Sequence, residues 1–586
     1  MTSVDELFKK PTSTASAKRK IDPTQDPNEL YKAAKLEANG DVKSKGKAPM
    51  VEDEEEDDGE AGPELPPDFE EDVPDDEEGR FFGGGMERQT AEAMHYIDQQ
   101  DEAEGNVEPE KFDVAWLRRF ALNFERKISK NAELRGKHEN DPKKFMASEA
   151  DLDTEIKGLS ILSEHPELYS EFSKLGCVGS LISLLSHENT DIAIDAIQII
   201  SELTDEDVEA EQEQWDVLVN AMLDDDLIEL LTQNLTRLDE ESHVDRAGVY
   251  YILSVIENLA SQTSVAEKIG QDKNFLPWLV ARIQKKERPV SQNQQYSAEV
   301  LAILLQSSTK NIEAFIGLDG VDALLQLLSQ YRKRDPEKDS DEEEYVENLF
   351  DCLICLVDDN LGKEKFLEGE GVELAQIMLK EGKFSKQRAL RVLDHALGGL
   401  GGAPACERLV EVAGLRTVFG MFMKKQENQA IEHLLGIFAS LLRLLPGGSA
   451  PRIRTLAKFM EKDYEKIEKL IKLRRDYASR VSPVEDAIEK ERKTFDAVEQ
   501  EMMAAEWLSR RFDAGLFSLQ LIDVILAWLV AEDDGAKKKV VSLLADRDED
   551  LTLIQKTLKE QVEGLTDDDP GQKDRKEMLE TLLQFV

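Results

Sequence analysis

The sequence has few cysteines, and they are too scattered to build a disulfide framework. Its 586 residues include four of them, Cys177, Cys352, Cys355 and Cys406, and no apolar signal peptide opens the chain. A small secreted protein held together by disulfides is therefore excluded. We expect the protein to work in a reducing compartment, the cytosol or the nucleus.

Long apolar runs are also scarce. The most apolar one, "AGLFSLQLIDVILAWLV" at 514–530, has 17 residues and contains Gln520 and Asp523. A membrane-spanning helix needs about 20 uninterrupted apolar residues. The run therefore predicts a buried helix of a soluble domain, and no membrane partner is expected.

Positive charge is in short supply. Lysine and arginine number 73 against 122 aspartates and glutamates, which gives a formal net charge of −49. Such a surface repels nucleic acid and attracts cations. Basic segments of other proteins are therefore the first class of partner to consider.

Signatures of enzymes are absent from the sequence: it has no phosphate-binding loop, nucleophile elbow, dinucleotide fingerprint or zinc-binding histidine pair. Cys352 and Cys355 fall on an apolar helical stripe, which favours packed thiols over a metal site. Asp394 and His395 are neighbours, but adjacent residues of a helix point about 100° apart and do not form a catalytic pair. We predict no enzymatic activity, no metal and no cofactor.

The first 108 residues differ in composition from the rest of the chain. They are rich in lysine, serine, proline and acids, which predicts a disordered acidic tail over 1–108. The stretch 51–80 holds 17 acidic residues and one basic residue, and it fits either a solubilising tract or a docking arm for a basic partner. Two short motifs are candidates for a nuclear import signal and a linear anchor, respectively: Lys18, Arg19 and Lys20, and Phe81 with Phe82.

Residues 109–446 have helical spacing and contain a repeat. A glycine that opens an apolar segment recurs at Gly176, Gly320, Gly371 and Gly414, and the last two steps are 51 and 43 residues. A period of about 40–50 residues is typical of armadillo and HEAT arrays. Glycine between short helices permits a tight turn that a side chain would obstruct. We predict an all-α, right-handed superhelical solenoid of about six repeats preceded by N-terminal helices.

Each repeat ends in a helix with an apolar stripe. Because such helices cannot bury a broad apolar face alone, the repeats should stack. Residues 447–586 are expected to form a helical region packed on the solenoid, with two long charged helices broken near 480–486. Within it, "KLIKLRRDYASR" at 469–480 is locally basic; contact with phosphate is one interpretation, and a helix laced with ion pairs is favoured. The six stripes begin at Ala196, Ile252, Ala298, Leu349, Ala389 and Leu434.

The last helix of each repeat should line the concave side of the solenoid, where an extended basic peptide could lie. Acids near these positions would speed the encounter with cations, although ordinary surface acids on so acidic a chain are the alternative. The predicted groove ladder is Glu202, Asn258, Leu304, Cys355, His395 and Ser440, flanked by Asp205, Glu257 and Asp394. Outside the groove, Ser340 precedes three acids in the charged loop 331–345, which fits an acid-directed kinase site or a plain solvated loop.

The stretch "LGCVGSLISLLSHENTDIAIDAIQIISELTDED" (175–207) resembles an armadillo repeat in the order of its glycine, apolar ladder, asparagine and small alanine. The chain from about 112 to 586 more closely resembles the beta-catenin-like family. The stretches that carry this resemblance include "FERKISKNAELRGKHENDPKKFMASEADLD" (124–153), "FLEGEGVELAQIMLKEGKFSKQRALRVLDHALGG" (366–399) and "RRFDAGLFSLQ" (510–520).

The resemblance implies a nuclear scaffold associated with the pre-mRNA splicing machinery through the nineteen complex. It also implies binding to basic, nuclear-localisation-type segments of partners, expected among splicing factors. A nuclear transport carrier for basic cargo is the alternative. Armadillo import receptors use a regular array of groove tryptophans and asparagines, whereas Asn258 is the one asparagine of this ladder, so a general import receptor is disfavoured.

Overall fold

A computed structural model of the chain describes residues 111–566 and 570–586. Throughout these residues the regular structure is helical and contains no strand, which confirms the all-α prediction. The candidate import signal, the acidic stretch and the Phe81–Phe82 motif lie outside the described residues.

Two N-terminal helices, α1 (Val114–Lys137) and α2 (Met146–Gly158), precede six repeats of three helices. The first three repeats are α3 (Tyr169–Lys174), α4 (Cys177–Ser183) and α5 (Thr190–Thr204); α6 (Gln212–Asp224), α7 (Leu227–Arg237) and α8 (His243–Ala260); and α9 (Thr263–Gly270), α10 (Phe275–Gln284) and α11 (Gln292–Ser307). The next three are α12 (Thr309–Gly317), α13 (Gly320–Ser329) and α14 (Asp341–Asp358); α15 (Asn360–Glu368), α16 (Gly371–Glu381) and α17 (Phe384–Leu397); and α18 (Ala403–Glu411), α19 (Gly414–Met423) and α20 (Asn428–Leu444).

The third helix of most repeats begins at a polar side chain that caps it. Asn189 accepts a hydrogen bond from the backbone N–H of Asp191 at 3.1 Å, and Ser291 accepts one from Gln294 at 3.3 Å. Ser340 caps α14 in the same way, from Glu343 at 3.3 Å. A cap satisfies donors that the first turn leaves unpaired. Ser340 is therefore a half-buried helix cap rather than a mid-loop residue.

The recurrent glycines are needed for close packing. A Cβ on Gly320 would lie 2.3 Å from the ring of Phe315, and one on Gly371 would lie 2.3 Å from the ring of Phe366. The left-handed backbone falls one residue earlier, at Asp319 (φ 57°) and Glu370 (φ 58°), where non-glycine residues are unusual. Of the recurrent glycines, Gly176 is the one that adopts the left-handed conformation itself, with φ 75°.

The third helices form a continuous row: α5, α8, α11, α14, α17 and α20 each contact the next, and α2 contacts α5. The apolar stripes predicted for this row are buried between the helices. This stacking is the armadillo-type right-handed superhelical solenoid expected from the repeat. Among its buried residues are all of Ala196, Ile252, Ala298, Leu349, Ala389 and Leu434.

The C-terminal region consists of α21 (Ala450–Arg492), α22 (Ala497–Asp513), α23 (Leu516–Glu532), α24 (Asp534–Ala545), α25 (Thr552–Glu563) and α26 (Pro570–Leu582). Helix α23 contacts α20, so the row of third helices continues into this region. The proposed boundary between residues 446 and 447 falls in the linker that joins α20 to α21.

The break predicted near 480–486 is wrong. Helix α21 is interrupted at 461–464, where Lys462, Asp463 and Tyr464 have positive φ, and it continues through Pro483. Proline removes one helical hydrogen bond and costs about 3 kcal/mol. Because Tyr477 and Val481 are buried in the core, tertiary packing offsets this cost.

Helix α23 is buried, as its apolar sequence predicted. In the part of the chain that the structure describes, no single helix has the length and apolarity of a membrane span; α22 and α23 reach them together, across a 68° bend.

Candidate partner-binding groove

The row of third helices presents two differently charged surfaces along its length. The first lies over α2, α5 and α8 and contains Asp153, Asp191, Asp195, Glu202 and Asp205; we call it the acidic segment. The second lies over α14, α17 and α20, where acids face bases on neighbouring helices; we call it the paired segment. The predicted groove residues of α5, α8, α14, α17 and α20 fall in one of these two parts of the row, whereas Leu304 lies on α11 between them.

Glu202 is half-buried at the C-terminal end of α5. One of its carboxylate oxygens accepts a hydrogen bond from the Ser160 hydroxyl at 2.6 Å, and the other accepts one from the Gln198 amide at 3.0 Å. Both donors are neutral. The carboxylate is therefore positioned by its neighbours while its negative charge is not cancelled by them.

Asn258 joins α8 to α5. Its side-chain amide donates to the Ser201 carbonyl at 3.2 Å and to the Thr204 hydroxyl at 3.3 Å. Ser201 also donates from its hydroxyl to that of Ser254 at 2.9 Å. Asn258 thus fixes the spacing of two adjacent third helices, a role that the groove prediction did not anticipate.

Three tyrosines cluster where α8 meets α11. The rings of Tyr250 and Tyr296 are 5.0 Å apart, and those of Tyr250 and Tyr251 are 6.2 Å apart. The Tyr296 hydroxyl donates to the carboxylate of Glu257. Burial, followed by the charge of Glu257, raises the pKa of Tyr296, so the hydroxyl remains a donor. Sequence reasoning missed this cluster, although "VYY" in α8 and "QQY" in α11 were visible signals.

Carboxylates accumulate where α2, α5 and α8 meet. Burial, together with a hydrogen bond to Asp153, raises the pKa of Asp195 to about 8. Desolvation and then repulsion by Asp245 raise the pKa of Asp191. Lys157 of α2 pairs with Asp153 of the same helix and lies 3.4 Å from Asp195 of α5. Both pKa values are thus raised by burial first and by neighbouring carboxylates second.

Asp205 follows the last residue of α5 and accepts a hydrogen bond from the backbone N–H of Asp207 at 2.8 Å. It opens onto a cavity of about 280 Å³ that also contains Trp215 and Gln262. Gln262 donates to Asp216 at 2.7 Å, which holds α9 against α6. An aromatic ring beside a carboxylate suits the aliphatic stem and the charged head of a lysine or arginine.

In the paired segment the acids of α14 face bases of α17. Arg388 donates from Nε to Glu347 at 2.8 Å, and Arg391 donates to Asp351 at 2.8 Å. Nδ1 of His395 lies 2.9 Å from the Asp358 carboxylate. Two of the acids of α14, Glu347 and Asp351, are therefore neutralised by arginines of the neighbouring helix.

Asp394 and His395 have different partners, as the 100° divergence on a helix predicted. Asp394 lies 3.0 Å from Nδ1 of His433 on α20 and is packed against Gly436, where a Cβ would lie 2.2 Å from its carboxylate. Asp394 is thus used to join α17 to α20.

The predicted ladder is brought together only in part. Glu202, Asp205, Glu257 and Asn258 cluster at the acidic segment, whereas Asp394 and His395 lie three helices further along the row. At a spacing of 8–10 Å per packed helix, the two groups are roughly 25–30 Å apart. The rung predicted at Leu304 is wrong, because this side chain is fully buried. Cys355 and Ser440, the predicted groove positions of α14 and α20, are half-buried.

Cys352 is buried, and desolvation raises its pKa well above the usual thiol value. Its neighbour in the C-x-x-C pair, Cys355, is half-buried. Across the described residues, no group of three or more His, Cys, Asp or Glu side chains is arranged to hold a metal ion.

These features define the class of protein. The chain is an armadillo-repeat solenoid, a fold that generally serves as a platform for binding other proteins and is typically non-catalytic. A family model described as catenin-beta-like, Arm-motif containing nuclear, matches residues 91–559. The chain belongs to this beta-catenin-like family.

Relatives in fungi and mammals support the assignment. The beta-catenin-like protein 1 homolog of Schizosaccharomyces pombe is 38% identical over 473 residues, which cover 80% of this chain and 82% of that protein. Beta-catenin-like protein 1 of Homo sapiens is 37% identical over 470 residues, which cover 78% of this chain and 83% of that protein. Among solved structures, an engineered protein aligns with 78% of this chain and 99% of its own length, at 16% identity and a TM-score of 0.45.

Proposed function

We propose that this protein is a non-enzymatic scaffold of the pre-mRNA splicing machinery that binds basic, nuclear-localisation-type segments of partner proteins. The acidic segment of the groove is where such a peptide binds. The observation that supports this is the Glu202 carboxylate, whose hydrogen-bond donors Ser160 and Gln198 are both neutral, near the cavity that Asp205 lines.

Charge arithmetic favours the acidic segment over the rest of the row. A lysine or arginine about 4 Å from an exposed carboxylate gains roughly 1 kcal/mol in water and more where water is partly excluded. In the paired segment, Arg388 and Arg391 already occupy the corresponding positions opposite Glu347 and Asp351. A peptide cation would have to displace an internal arginine there, so it gains little.

The geometry suits an extended peptide. Glu202, the cavity beside Asp205 and Trp215, and Glu257 follow one another along α5, α6 and α8. Side chains on one face of an extended strand recur about every 6.6 Å. Alternate basic residues of the peptide could therefore meet successive acids, while the cavity accepts one long side chain.

The nuclear location and the link to splicing are also part of the proposal. Membership of a family described as nuclear and containing Arm motifs supports the location. The splicing partners follow from the resemblance to the beta-catenin-like family. Affinity purification of the tagged protein from nuclei, followed by mass spectrometry, tests this point: recovery of splicing factors supports it, and their absence from the recovered proteins contradicts it.

Peptide binding is tested by charge reversal. Fluorescence anisotropy would measure the affinity for a labelled heptapeptide of alternating lysine and arginine at 50 and 300 mM salt. The double variant Glu202→Lys/Asp205→Lys replaces two attractions by two repulsions. Affinity should fall by at least about tenfold at low salt, where screening is weakest.

The matched control is the double variant Glu313→Lys/Asp322→Lys, which makes the same change in charge on exposed residues of α12 and α13, outside the row of third helices. This variant should bind within about twofold of the unmodified protein. Equal losses in both variants would mean that net charge alone governs binding. If the Glu202→Lys/Asp205→Lys variant has unchanged affinity and an unchanged thermal melt, the acidic segment is not where the peptide binds.

A further inference from the structure

A second cavity, of about 170 Å³, lies far along the chain from the acidic segment, between the α19–α20 loop and α21. Its lining includes four cations, Lys424, Lys425, Lys469 and Arg480, and one carboxylate, Asp476. We call it the basic cavity. Its sign is opposite to that of the whole chain, which carries a formal charge of −49.

The cations of the basic cavity are not neutralised by neighbouring acids. Within the described residues, Lys424, Lys425 and Arg480 form no ion pair with a carboxylate. The sequence favoured a helix laced with ion pairs over 469–480, and this holds for two residues of the stretch: Arg474 pairs with Asp523 and Arg475 with Glu549. The two cations of the same stretch that line the cavity, Lys469 and Arg480, form no ion pair with a carboxylate of the described residues.

Lys469 is fixed at the inner wall of the cavity. Its ammonium donates to the carbonyl of Phe422 and, at 3.0 Å, to the carbonyl of Lys424, both at the C-terminal end of α19. Burial, followed by repulsion from Lys472, lowers the pKa of Lys469. A bound anion would offset the repulsion, because it places a negative charge beside the two ammonium groups.

The volume limits the ligand. Small-molecule sites usually measure about 300–1,000 Å³, so a nucleotide or a cofactor would not fit into this cavity. At about 30 Å³ per water molecule, the cavity holds roughly the space of five to six waters. That is room for one phosphoryl group with its ester oxygen.

We propose that the basic cavity binds a phosphorylated serine or threonine side chain of a partner protein. A phosphoryl group carries about −1.5 to −2 charges and three strong acceptor oxygens. The exposed side chains of Lys425 and Arg480 can reach the phosphoryl group from the rim of the cavity, and Lys469 lies at the inner wall. The Arg480 guanidinium lies 5.2 Å from the centre of the Tyr477 ring, which limits the directions in which its donors point.

A polypeptide fits this surface better than a nucleic acid. A nucleic acid brings a continuous row of phosphates, which the acidic remainder of the surface would repel. It also needs exposed aromatic rings on which bases stack. The aromatic residue of the lining, Tyr477, is 5% exposed and is packed in the core.

The test uses the full-length protein and a degenerate labelled peptide library with one fixed central phosphoserine. Fluorescence anisotropy would compare it with the same library carrying serine, with inorganic phosphate as a competitor. The phosphorylated library should bind at least about tenfold more tightly, because the charge-assisted hydrogen bonds depend on the phosphoryl oxygens. The double variant Lys425→Glu/Arg480→Glu should lose at least about tenfold in affinity for it.

The double variant Lys143→Glu/Lys144→Glu is the matched control, since it makes the same change in charge on two exposed lysines that are distant in sequence from the basic cavity. It should bind within about twofold of the unmodified protein. Melting curves establish that all variants are folded. Equal binding of the phosphorylated and unphosphorylated libraries would overturn the proposal, and so would an equal loss of affinity in the control double variant. Tighter binding of an oligouridylate that the double variant abolishes would also overturn it, in favour of RNA.

Discussion

The carboxyl pair between α2 and α5 should make the stability of the solenoid depend on pH. The pKa of Asp195 is raised from 3.8 to about 8 by burial and by its hydrogen bond with Asp153. Protonated Asp195 therefore contributes stability that is fully present below about pH 3.8 and is lost as pH rises through about 8. In the variant Asp195→Asn, the amide replaces the protonated acid and cannot ionise, so the variant should not lose this contribution.

The size of the effect follows from the structure. Between pH 5 and 8 the unfolded chain has lost this proton and the folded chain keeps it, so stability falls by up to about 1.4 kcal/mol per pH unit. Three units set a ceiling of about 4 kcal/mol. The Asp195 side chain is 17% exposed and lies 3.4 Å from Lys157, which stabilises the ionised form. Both facts reduce the expected difference to about 2 kcal/mol.

Differential scanning fluorimetry at constant ionic strength would measure the melting temperatures of both proteins from pH 5.0 to 8.5. The variant should gain on the unmodified protein by a few degrees over this range. The control is Asp322→Asn, at an exposed carboxylate on α13, for which the difference should stay constant with pH. If the melting temperatures of Asp195→Asn and of the unmodified protein change in parallel with pH, the prediction that Asp195 keeps its proton in the folded protein is refuted.

Two further predictions concern buried charges. Arg474 and Asp523 join α21 to α23 through hydrogen bonds of 2.6 and 3.1 Å. Asp523→Ala should therefore destabilise the C-terminal region by about 3–5 kcal/mol, whereas the double variant Arg474→Leu/Asp523→Leu should lose less stability. Urea unfolding measures both losses, and equal losses would contradict the prediction. Lys363 donates to the Val357 carbonyl and, at 2.7 Å, to the His395 carbonyl, so Lys363→Met should cost about 1–3 kcal/mol by leaving two helix ends unsatisfied. An unchanged melt of that variant would show that water replaces the ammonium.

The periodicity of apolar residues was sufficient to predict the architecture. Stripes such as those beginning at Ala196 and Leu349 are buried where the pattern placed them. This worked because a helix that repeats its apolar face every third or fourth residue can bury it only against a similar neighbour. The glycine signal was also informative, since Gly320 and Gly371 lie where a Cβ would collide with the preceding helix.

Boundaries and breaks were less predictable. Pro483 was an expected break, yet α21 passes through it and is interrupted instead at 461–464. Local propensity predicted a break at this proline, but the burial of Tyr477 and Val481 from the same helix outweighed that propensity. A single sequence does not reveal which helix packs against neighbouring helices on both of its sides.

The sequence by itself determined that this protein is an acidic, all-helical repeat array, because composition and short-range spacing are properties of the chain alone. The tertiary structure decided which charges remain uncompensated. Glu347 and Glu202 are alike in the sequence, but the fold places Arg388 against the first and neutral donors against the second. Lys425 and Arg474 likewise differ only through folding, since Asp523 reaches one of them. Ion pairing depends on residues that are distant in sequence, and so the positions of the free acidic and basic surfaces emerge only when the helices stack.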